Sequence, residues 1–167
     1  MDVQNDKADW SEAEAQALHI RLLARGLRVA VAESLTVGRV QTALGRLSGA
    51  SAYLAGGLTA YESAAKVRLL GVDAAHAAEV NAVSARMAEE MARGALKLFK
   101  CQIGLATTGY AEPDAAHSVA EPFAWVAVAY EGDILVVRVD GAGLGREAMQ
   151  MRATTRVLRL LAEIVPG

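Results

Sequence analysis

The feature that most constrains this chain is a short, wholly apolar run that stops abruptly at polar residues. Residues 29–32 read Val-Ala-Val-Ala and are followed at once by Glu33, Ser34 and Thr36. A continuous run of this length is typical of a strand that is buried on both faces of a sheet. Ligands of open α/β sheets bind where the strands end, so a hydroxyl at this point can meet a substrate. The alternative is that Ser34 or Thr36 only caps the next helix.

The rest of the chain predicts strands and helices in alternation. Apolar periodicity and stop signals predict helices over residues 11–25, 37–47, 62–70, 84–100 and 146–164. They predict strands over residues 53–61 and 103–108, and a hairpin of residues 123–130 and 134–139. Gly56 and Gly57 interrupt the second strand and indicate a bulge or a close approach to the backbone. This order predicts an α/β fold, a three-layer α/β/α domain with a mixed, mostly parallel sheet.

Length and composition suit one ordinary domain outside the membrane. We expect residues 11–167 to form that domain, behind a flexible tail of residues 1–10. No apolar run approaches the roughly 18 residues of a spanning helix, and the polar start is unlike a secretory signal. A net charge of −2 gives no general attraction to nucleic acid or to a membrane surface. We therefore expect a cytoplasmic protein with neither partner.

Cysteine and histidine usage indicates neither a disulfide nor a metal site. Cys101 is the only cysteine, and His19, His76 and His117 lack the spacing of metal ligands. We therefore expect no metal and no cofactor. Because 53% of the residues are hydrophobic and 22% are charged, we expect an apolar surface patch and a homo-oligomer, most simply a dimer.

Three predicted strands end in polar residues, and one of them is followed by a lysine. Thr59-Ala60-Tyr61 and Thr107-Thr108-Gly109 match the strand end at Glu33, and Lys66 follows Tyr61 by five residues. If these strands are parallel neighbours, Ser34, Tyr61 and Lys66 converge at one sheet edge. A serine needs a base, and a lysine can serve if burial lowers its pKa. Tyr61 could orient that lysine or relay a proton.

This arrangement carries two further expectations about the serine. Backbone N–H groups at the start of the following helix would suit an oxyanion or a phosphate. We expect Ser34 Oγ and Lys66 Nζ to lie within about 4 Å of each other. The competing interpretation makes Lys66 a solvated helix residue beside Arg68.

Five stretches resemble, in order and spacing, the C-terminal domain of the CinA family. Residues 32–38 (A-E-S-L-T-V-G) are similar to that family's A-E-S-C-T-G-G. Residues 61–72 (Y-E-S-A-A-K-V-R-L-L-G-V) resemble its Y-S-N-x-A-K-x-x-L-L-G-V, and residues 81–96 resemble its G-A-V-S-x-x-x-A-x-x-M-A-x-G-A. Residues 108–109 fall where the family has T-G-I-A-G-P-G-G-G, and residues 145–146 resemble the start of its G-x-R-x-x-V-R. The resemblance covers nearly the whole chain from about residue 11.

The resemblance implies a nicotinamide-nucleotide amidohydrolase of the PncC type. Such enzymes convert nicotinamide mononucleotide and water into nicotinate mononucleotide and ammonia. The resemblance places Ser34 on the family's nucleophile and Lys66 on its base, with Tyr61 beside them as a third catalytic residue. It also implies a small nucleotide or amide as partner, bound by Glu33, Thr36, Gly38, Thr108, Gly109 and Arg146.

The chain departs from the family pattern around the substrate. Leu35 replaces a cysteine, Val37 replaces a glycine, and residues 110–116 keep no glycine of G-P-G-G-G. Glycines there would permit close backbone approach to a ligand. Glu112 and Asp114 instead bring negative charge towards an anionic phosphate, at a cost of order 1 kcal/mol each if solvated.

Two functions of different classes therefore stay open. One is amide hydrolysis by Ser34 and Lys66, and the other is an inactive homologue that serves as a binding or interaction protein. A dinucleotide-binding domain is disfavoured because no G-x-G-x-x-G follows the first strand. We expect residues 110–121 to bind nicotinamide mononucleotide poorly, with His117 partly offsetting the acid. We also expect this loop to be mobile, because nothing strongly apolar anchors it.

Overall fold

The computed structural model describes residues 9–165. Its strands are β1 (Val29–Glu33), β2 (Leu54–Thr59), β3 (Ile103–Tyr110), β4 (Phe123–Tyr130) and β5 (Asp133–Asp140). Its α-helices are α1 (Glu12–Arg25), α2 (Arg39–Gly45), α3 (Ser63–Leu70), α4 (Ala74–Glu79), α5 (Ala85–Phe99) and α6 (Arg146–Ile164). Most of the predicted tail, residues 1–8, lies outside the described residues.

The strands form one mixed sheet in the order β2-β1-β3-β4-β5. β1 pairs in parallel with both β2 and β3, whereas β4 and β5 continue the sheet as an antiparallel hairpin. In this register Glu33 lies beside Thr59 on one side and Thr107 on the other. The predicted parallel arrangement is confirmed, and it brings the three polar strand ends to one edge of the sheet.

A separate apolar core covers each face of the sheet. Val29 and Val31 of β1 belong to the core that includes residues of α1, α2 and α6. Ala30 and Ala32 belong to the opposite core, which includes residues of α3, α4 and α5. Because alternate side chains of a strand point to opposite faces, β1 needs apolar residues throughout. The three-layer α/β/α architecture is confirmed.

Local signals explain most of the helix ends. Ser11 and Glu14 form the predicted capping box of α1, and Ser84 caps α5. α2 begins two residues later than predicted, because Val37 and Gly38 have φ values of 49° and 89°. A positive φ is unusual for a β-branched residue. The helix cannot include these two positions.

One helix has no counterpart among the predicted elements. α4 follows Asp73, whose side chain accepts hydrogen bonds from the N–H groups of Ala75 and His76. The signal was Asp73 as an N-cap ahead of an alanine-rich segment. A helix of six residues shows too little apolar periodicity to be predicted on its own.

The glycine pair of β2 marks a bulge and close packing, as predicted. The register against β1 shifts between Val29 and Ala30. A Cβ at Gly56 would lie 2.5 Å from the ring of Phe99, and one at Gly57 would lie 2.5 Å from the side-chain amide of Gln41. The groups that approach this backbone are therefore the protein's own side chains.

The described residues contain neither a membrane-spanning helix nor a cluster of metal ligands. None of its helices combines the length and apolar character needed to cross a membrane. Within residues 9–165, no group of three or more His, Cys, Asp or Glu side chains is arranged to hold a metal ion. Cys101 is a free thiol that donates to the carbonyl of Ile103.

Candidate active site

Two neighbouring cavities open at the edge of the sheet where the parallel strands end. The first, which we call the serine cavity, has a volume of about 480 Å³. Its wall includes Ser34, Lys66, Asn81, Gly109, Glu112 and Asp114. The second, the arginine cavity, has a volume of about 960 Å³ and includes Arg39 and Arg46. Tyr61 and Arg146 line both cavities and separate them.

Ser34 sits directly after β1 with its hydroxyl open to the serine cavity. Its N–H donates to the carbonyl of Thr107 on the neighbouring strand at 3.0 Å, which fixes the backbone. The residue is 7% exposed, and within residues 9–165 its hydroxyl makes no hydrogen bond. Because no buried side-chain oxygen or nitrogen of the described residues lacks a hydrogen bond, this hydroxyl must be accessible from the cavity. It is left for a ligand or water in the cavity.

Lys66 lies in α3 and points into the same cavity. Only 3% of the residue is exposed, and its Nζ donates to the carbonyl oxygen of Tyr61 at 3.1 Å. Among the described residues, no carboxylate pairs with it. Burial lowers the pKa of Lys66 from its ordinary 10.5 to about 8, because the charged form loses hydration. The interpretation of Lys66 as a solvated helix residue is wrong.

The predicted triad is brought together, although its contacts differ from those expected. No hydrogen bond joins Ser34 and Lys66 in the described chain, and their separation of about 4 Å stays a prediction. Tyr61 reaches Lys66 through its carbonyl oxygen. Its phenol, which is the group that could relay a proton, accepts instead from Nη2 of Arg146 at 2.9 Å.

The carboxylate of Glu33 occupies the N-terminus of α2. It accepts from the hydroxyl of Thr36 at 2.6 Å and from the N–H groups of Gly38, Val40 and Gln41 at 2.9 to 3.2 Å. The Gln41 side chain adds a bond of 3.0 Å. The expectation that these helix amides hold an oxyanion or a phosphate is therefore wrong, because the protein supplies its own anion there.

The amides closest to the nucleophile remain available. Within residues 9–165, the N–H groups of Leu35 and Thr36 make no hydrogen bond, although both residues are buried. Buried N–H groups without a partner are rare in folded proteins. Leu35 lines the serine cavity next to Ser34. Because Thr36 does not line the cavity, the Leu35 amide is the best candidate for holding an oxyanion that forms at Ser34.

Glu33 and Thr36 support the site from beneath. Both are fully buried, and neither lines either cavity. Thr36 Oγ1 lies 2.7 Å from Thr107 Oγ1, which links the turn after β1 to β3. Thr107 was not among the predicted site residues, although it belongs to one of the three polar strand ends and lies beside Glu33 in the sheet. Any part of Glu33 and Thr36 in substrate binding would be indirect.

The other predicted binding residues have varied positions. Thr108 is buried and donates to the carbonyl of Ala82 at 2.7 Å, away from the cavity wall. Gly109 lines the serine cavity, and a Cβ there would lie 2.3 Å from the carbonyl oxygen of Phe123. Gly38 lines the arginine cavity. Of these three, only Gly109 adjoins the chemistry proposed for Ser34.

Polar contacts and one buried apolar residue hold the loop that follows β3. Ala111 packs in the core, and Asp114 and Val119 exchange backbone hydrogen bonds of 2.9 and 2.8 Å. His117 lies 2.9 Å from the carboxylate of Asp114, as expected for a group that offsets this acid. That hydrogen bond lowers the pKa of Asp114. The loop has more anchors than its sequence indicated, and its mobility stays a prediction.

Arg146 joins this loop to the rest of the site. Its Nη1 donates to the carboxylate of Glu112 at 2.7 Å, and its Nη2 donates to the phenol of Tyr61. Asn81, which sequence reasoning missed, lines the cavity and donates to the phenol of Tyr110 at 2.9 Å. Its positive φ of 49° in the turn after α4 is the kind of feature that only a structure reveals.

Comparison with known proteins assigns the chain to a family. The sequence model described as CinA C-terminal domain matches residues 11–165. The chain belongs to the CinA C-terminal domain family. A CinA-like protein from Mycolicibacterium vanbaalenii is 39% identical over 147 residues, and one from Synechococcus sp. is 40% identical over 156 residues. These matches cover 87% and 88% of this chain but only 35% and 37% of those relatives.

Solved structures of CinA proteins share the whole fold. A competence-damaged protein (CinA) superfamily protein from Klebsiella pneumoniae is 30% identical with a TM-score of 0.84, covering 92% of this chain and 96% of that one. The competence/damage inducible protein CihA from Agrobacterium tumefaciens is 26% identical with a TM-score of 0.83, covering 93% and 98%. The CinA domain of this chain therefore has the architecture of its solved relatives.

Proposed function

We propose that this CinA domain hydrolyses a carboxamide carried on a pyridine ring, as in nicotinamide nucleotides, with Ser34 as nucleophile and Lys66 as base. One observation carries the proposal. A serine hydroxyl without a partner in the described chain shares a small cavity with a buried lysine that has no counter-charge there. Burial of such a lysine costs free energy, so its presence is better explained by chemistry than by stability.

The reaction would proceed by acyl transfer. Neutral Lys66 accepts the proton of Ser34 Oγ as this oxygen attacks the carboxamide carbon. The resulting oxyanion is held by the N–H group of Leu35, which lines the cavity. Lys66 then returns the proton to the nitrogen, ammonia leaves, and an ester remains on Ser34. A water molecule activated by Lys66 hydrolyses that ester, which releases the carboxylic acid and regenerates the serine.

The electrostatics of the cavity suit a base near neutral pH. With a pKa of about 8, about a tenth of Lys66 is neutral at pH 7, compared with fewer than one in a thousand for an exposed lysine. The mechanism requires Lys66 Nζ to come within hydrogen-bond distance of Ser34 Oγ when substrate is bound. Because the lysine side chain has four rotatable bonds, Nζ can exchange the Tyr61 carbonyl for Ser34 Oγ as its hydrogen-bond partner.

A second candidate function rests on a different observation. Glu112 holds Arg146 at the mouth of the serine cavity, and the glycines of the family's loop are missing. A family member with an altered cradle could bind a ligand without turning it over. On this interpretation the chain is a binding or interaction protein, and no ammonia is released from any pyridine carboxamide.

Ammonia release by purified protein separates the two functions. We expect release from nicotinamide-based substrates by the wild type and a loss of at least about a thousandfold in Ser34→Ala and Lys66→Met. Ser63→Ala is the matched control, because Ser63 lines the same cavity and should keep activity within about threefold. Unchanged activity in Ser34→Ala would exclude the proposed mechanism, and no activity in the wild type would favour the binding function.

A further inference from the structure

The wall of the serine cavity carries more negative charge than a phosphate-binding site would. Its acidic and basic side chains, among the described residues, are Lys66, Glu112, Asp114 and Arg146. With Lys66 protonated these four charges balance, and with Lys66 neutral, as its role as a base requires, the wall has one net negative charge. His117, which bonds to Asp114, does not line the cavity. A phosphate monoester carries close to two negative charges near neutral pH.

The one permanent cation that the described residues place on this wall is already engaged. Arg146 Nη1 donates to Glu112 at 2.7 Å, and Nη2 donates to the Tyr61 phenol at 2.9 Å. A phosphate could bind this guanidinium in a fork only by displacing a carboxylate of the same charge sign. Glu112 thus occupies the position that an anionic substrate group would otherwise take.

Several backbone donors of the loop are already used within the loop itself. Pro113 has no N–H, and the N–H of Asp114 donates to the carbonyl of Val119. The N–H groups of Ala116 and His117 donate to the Asp114 carboxylate. Phosphate cradles are built from several converging N–H groups. Here the N–H groups of Asp114, Ala116 and His117 are satisfied within the loop.

We infer that the amide substrate of this CinA domain lacks a phosphate and carries a positive charge, as an N-glycosylated pyridinium carboxamide does. Glu112 and Asp114 are the residues that discriminate between such a nucleoside and the corresponding nucleotide. The ring nitrogen of such a nucleoside holds a fixed positive charge, which the acidic wall attracts, whereas the 5′-phosphate of the nucleotide is repelled. This inference rests on the proposed function, since it assigns the substrate class of the same cavity.

Nicotinamide riboside and nicotinamide mononucleotide test the inference, because they differ only in the phosphate. Calorimetric titration of Ser34→Ala protein measures binding without turnover. We expect the riboside to bind at least about tenfold more tightly than the mononucleotide at low salt. Equal or tighter binding of the mononucleotide, or failure of the riboside to bind, overturns the inference.

Two variants in the Ser34→Ala background locate the discrimination. Glu112→Gln removes one negative charge and also frees Arg146, so it should narrow the preference by about tenfold or reverse it. Asp114→Asn removes a charge but keeps Oδ1 as the acceptor for Ala116 and His117, so its effect should be smaller. Unchanged preference in Glu112→Gln overturns the role of that residue.

A matched control keeps these effects specific to the cavity. Glu131 lies in the β4–β5 turn at the opposite end of the sheet, since Tyr130 pairs with Ile103 at the start of β3. Glu131→Gln therefore makes the same chemical change far from the site and should leave the preference as in the parent. Lack of ammonia release from both compounds by the wild type would refute the proposed function alone, because the binding preference is measured separately.

Discussion

Among single residues, the proposed hydrolysis depends most on the buried amine of Lys66. Its pKa of about 8 results from lost hydration. The reactive form is the neutral amine, whose fraction rises tenfold per pH unit below the pKa and levels off above it. We therefore expect kcat/KM for ammonia release to rise from pH 6 and reach a plateau above about 8.5. A profile that is flat or falling across this range would contradict a lysine base.

The same burial predicts a gain in stability when the lysine is removed. An unfolded lysine keeps its proton up to its ordinary pKa of 10.5, whereas folded Lys66 loses it near 8. Burying the charged amine of Lys66 therefore lowers the free energy of unfolding by roughly 3 kcal/mol below pH 8. This penalty disappears as the pH rises from 8 to 10.5. At pH 7, Lys66→Met should raise the free energy of unfolding by about 1–3 kcal/mol.

Urea denaturation at pH 7 and pH 10 checks this prediction. The gain should shrink at pH 10, because folded Lys66 is neutral there and little of the penalty for burying its charge remains. Lys97→Met on the exposed side of α5 serves as the control and should change stability by less than about 0.5 kcal/mol. A Lys66→Met protein that is less stable at pH 7 would show that the lysine is a structural residue.

The sequence predicts these residues better than it predicts their contacts. Ser34 and Lys66 could be selected because a serine after a buried strand and a lysine after a neighbouring strand share one sheet edge. Tyr61 could be selected for the same reason. That its carbonyl, and not its phenol, meets Lys66 depends on the first turn of α3, which no spacing rule determines. The burial of Lys66 likewise follows from packing between elements.

At the scale of elements, Glu33 holds α2 in place. Its carboxylate is fully buried and accepts hydrogen bonds from three helix amides and two side chains. In Glu33→Gln an NH₂ group would face N–H donors, which leaves them without an acceptor. We expect a loss of about 2–4 kcal/mol in the free energy of unfolding, measured by urea denaturation, with Glu131→Gln as control. A loss below about 0.5 kcal/mol would show that the carboxylate is dispensable.

Element boundaries were predictable where a local cap decides them. α6 begins and ends at the predicted residues, and α1 has its predicted capping box. α2 starts later because Val37 and Gly38 have positive φ values and the Glu33 carboxylate binds the N–H groups of Gly38 and Val40. Hydrophobic periodicity does not reveal such a contact. α4 was missed because its six residues rely on the Asp73 cap.

At the scale of the whole molecule, the alternation of strands and helices determined the architecture. The parallel pairing of β1 with β2 and β3 follows from their intervening helices, and the hairpin closes the sheet on one side. The serine cavity is lined by Glu112 and Asp114, whereas the arginine cavity is lined by Arg39 and Arg46. This difference in charge was not predictable, because it depends on which side of Tyr61 and Arg146 each loop lies. Long-range placement of loop side chains is what the sequence alone leaves open.

Assembly stays a prediction at this scale. Large apolar side chains are exposed on α1, where Ile20 and Leu23 are 56% and 42% accessible. Such side chains favour self-association when they are contiguous. We expect a homodimer in light scattering at micromolar concentration, and Ile20→Glu with Leu23→Glu to weaken it if α1 forms the interface. A monomer across that concentration range would refute the expectation.

The proposed mechanism requires that Ser34 becomes acylated during amide hydrolysis. Its most direct test is peptide mass spectrometry after acid quench of protein that is turning over a pyridine carboxamide. We expect the pyridine acyl group on the peptide that contains Ser34, in the wild type and in Ser63→Ala. We expect none in Ser34→Ala and strongly slowed labelling in Lys66→Met. An acyl group on another residue, or labelling of Ser34 at the wild-type rate in Lys66→Met, would contradict the proposed mechanism.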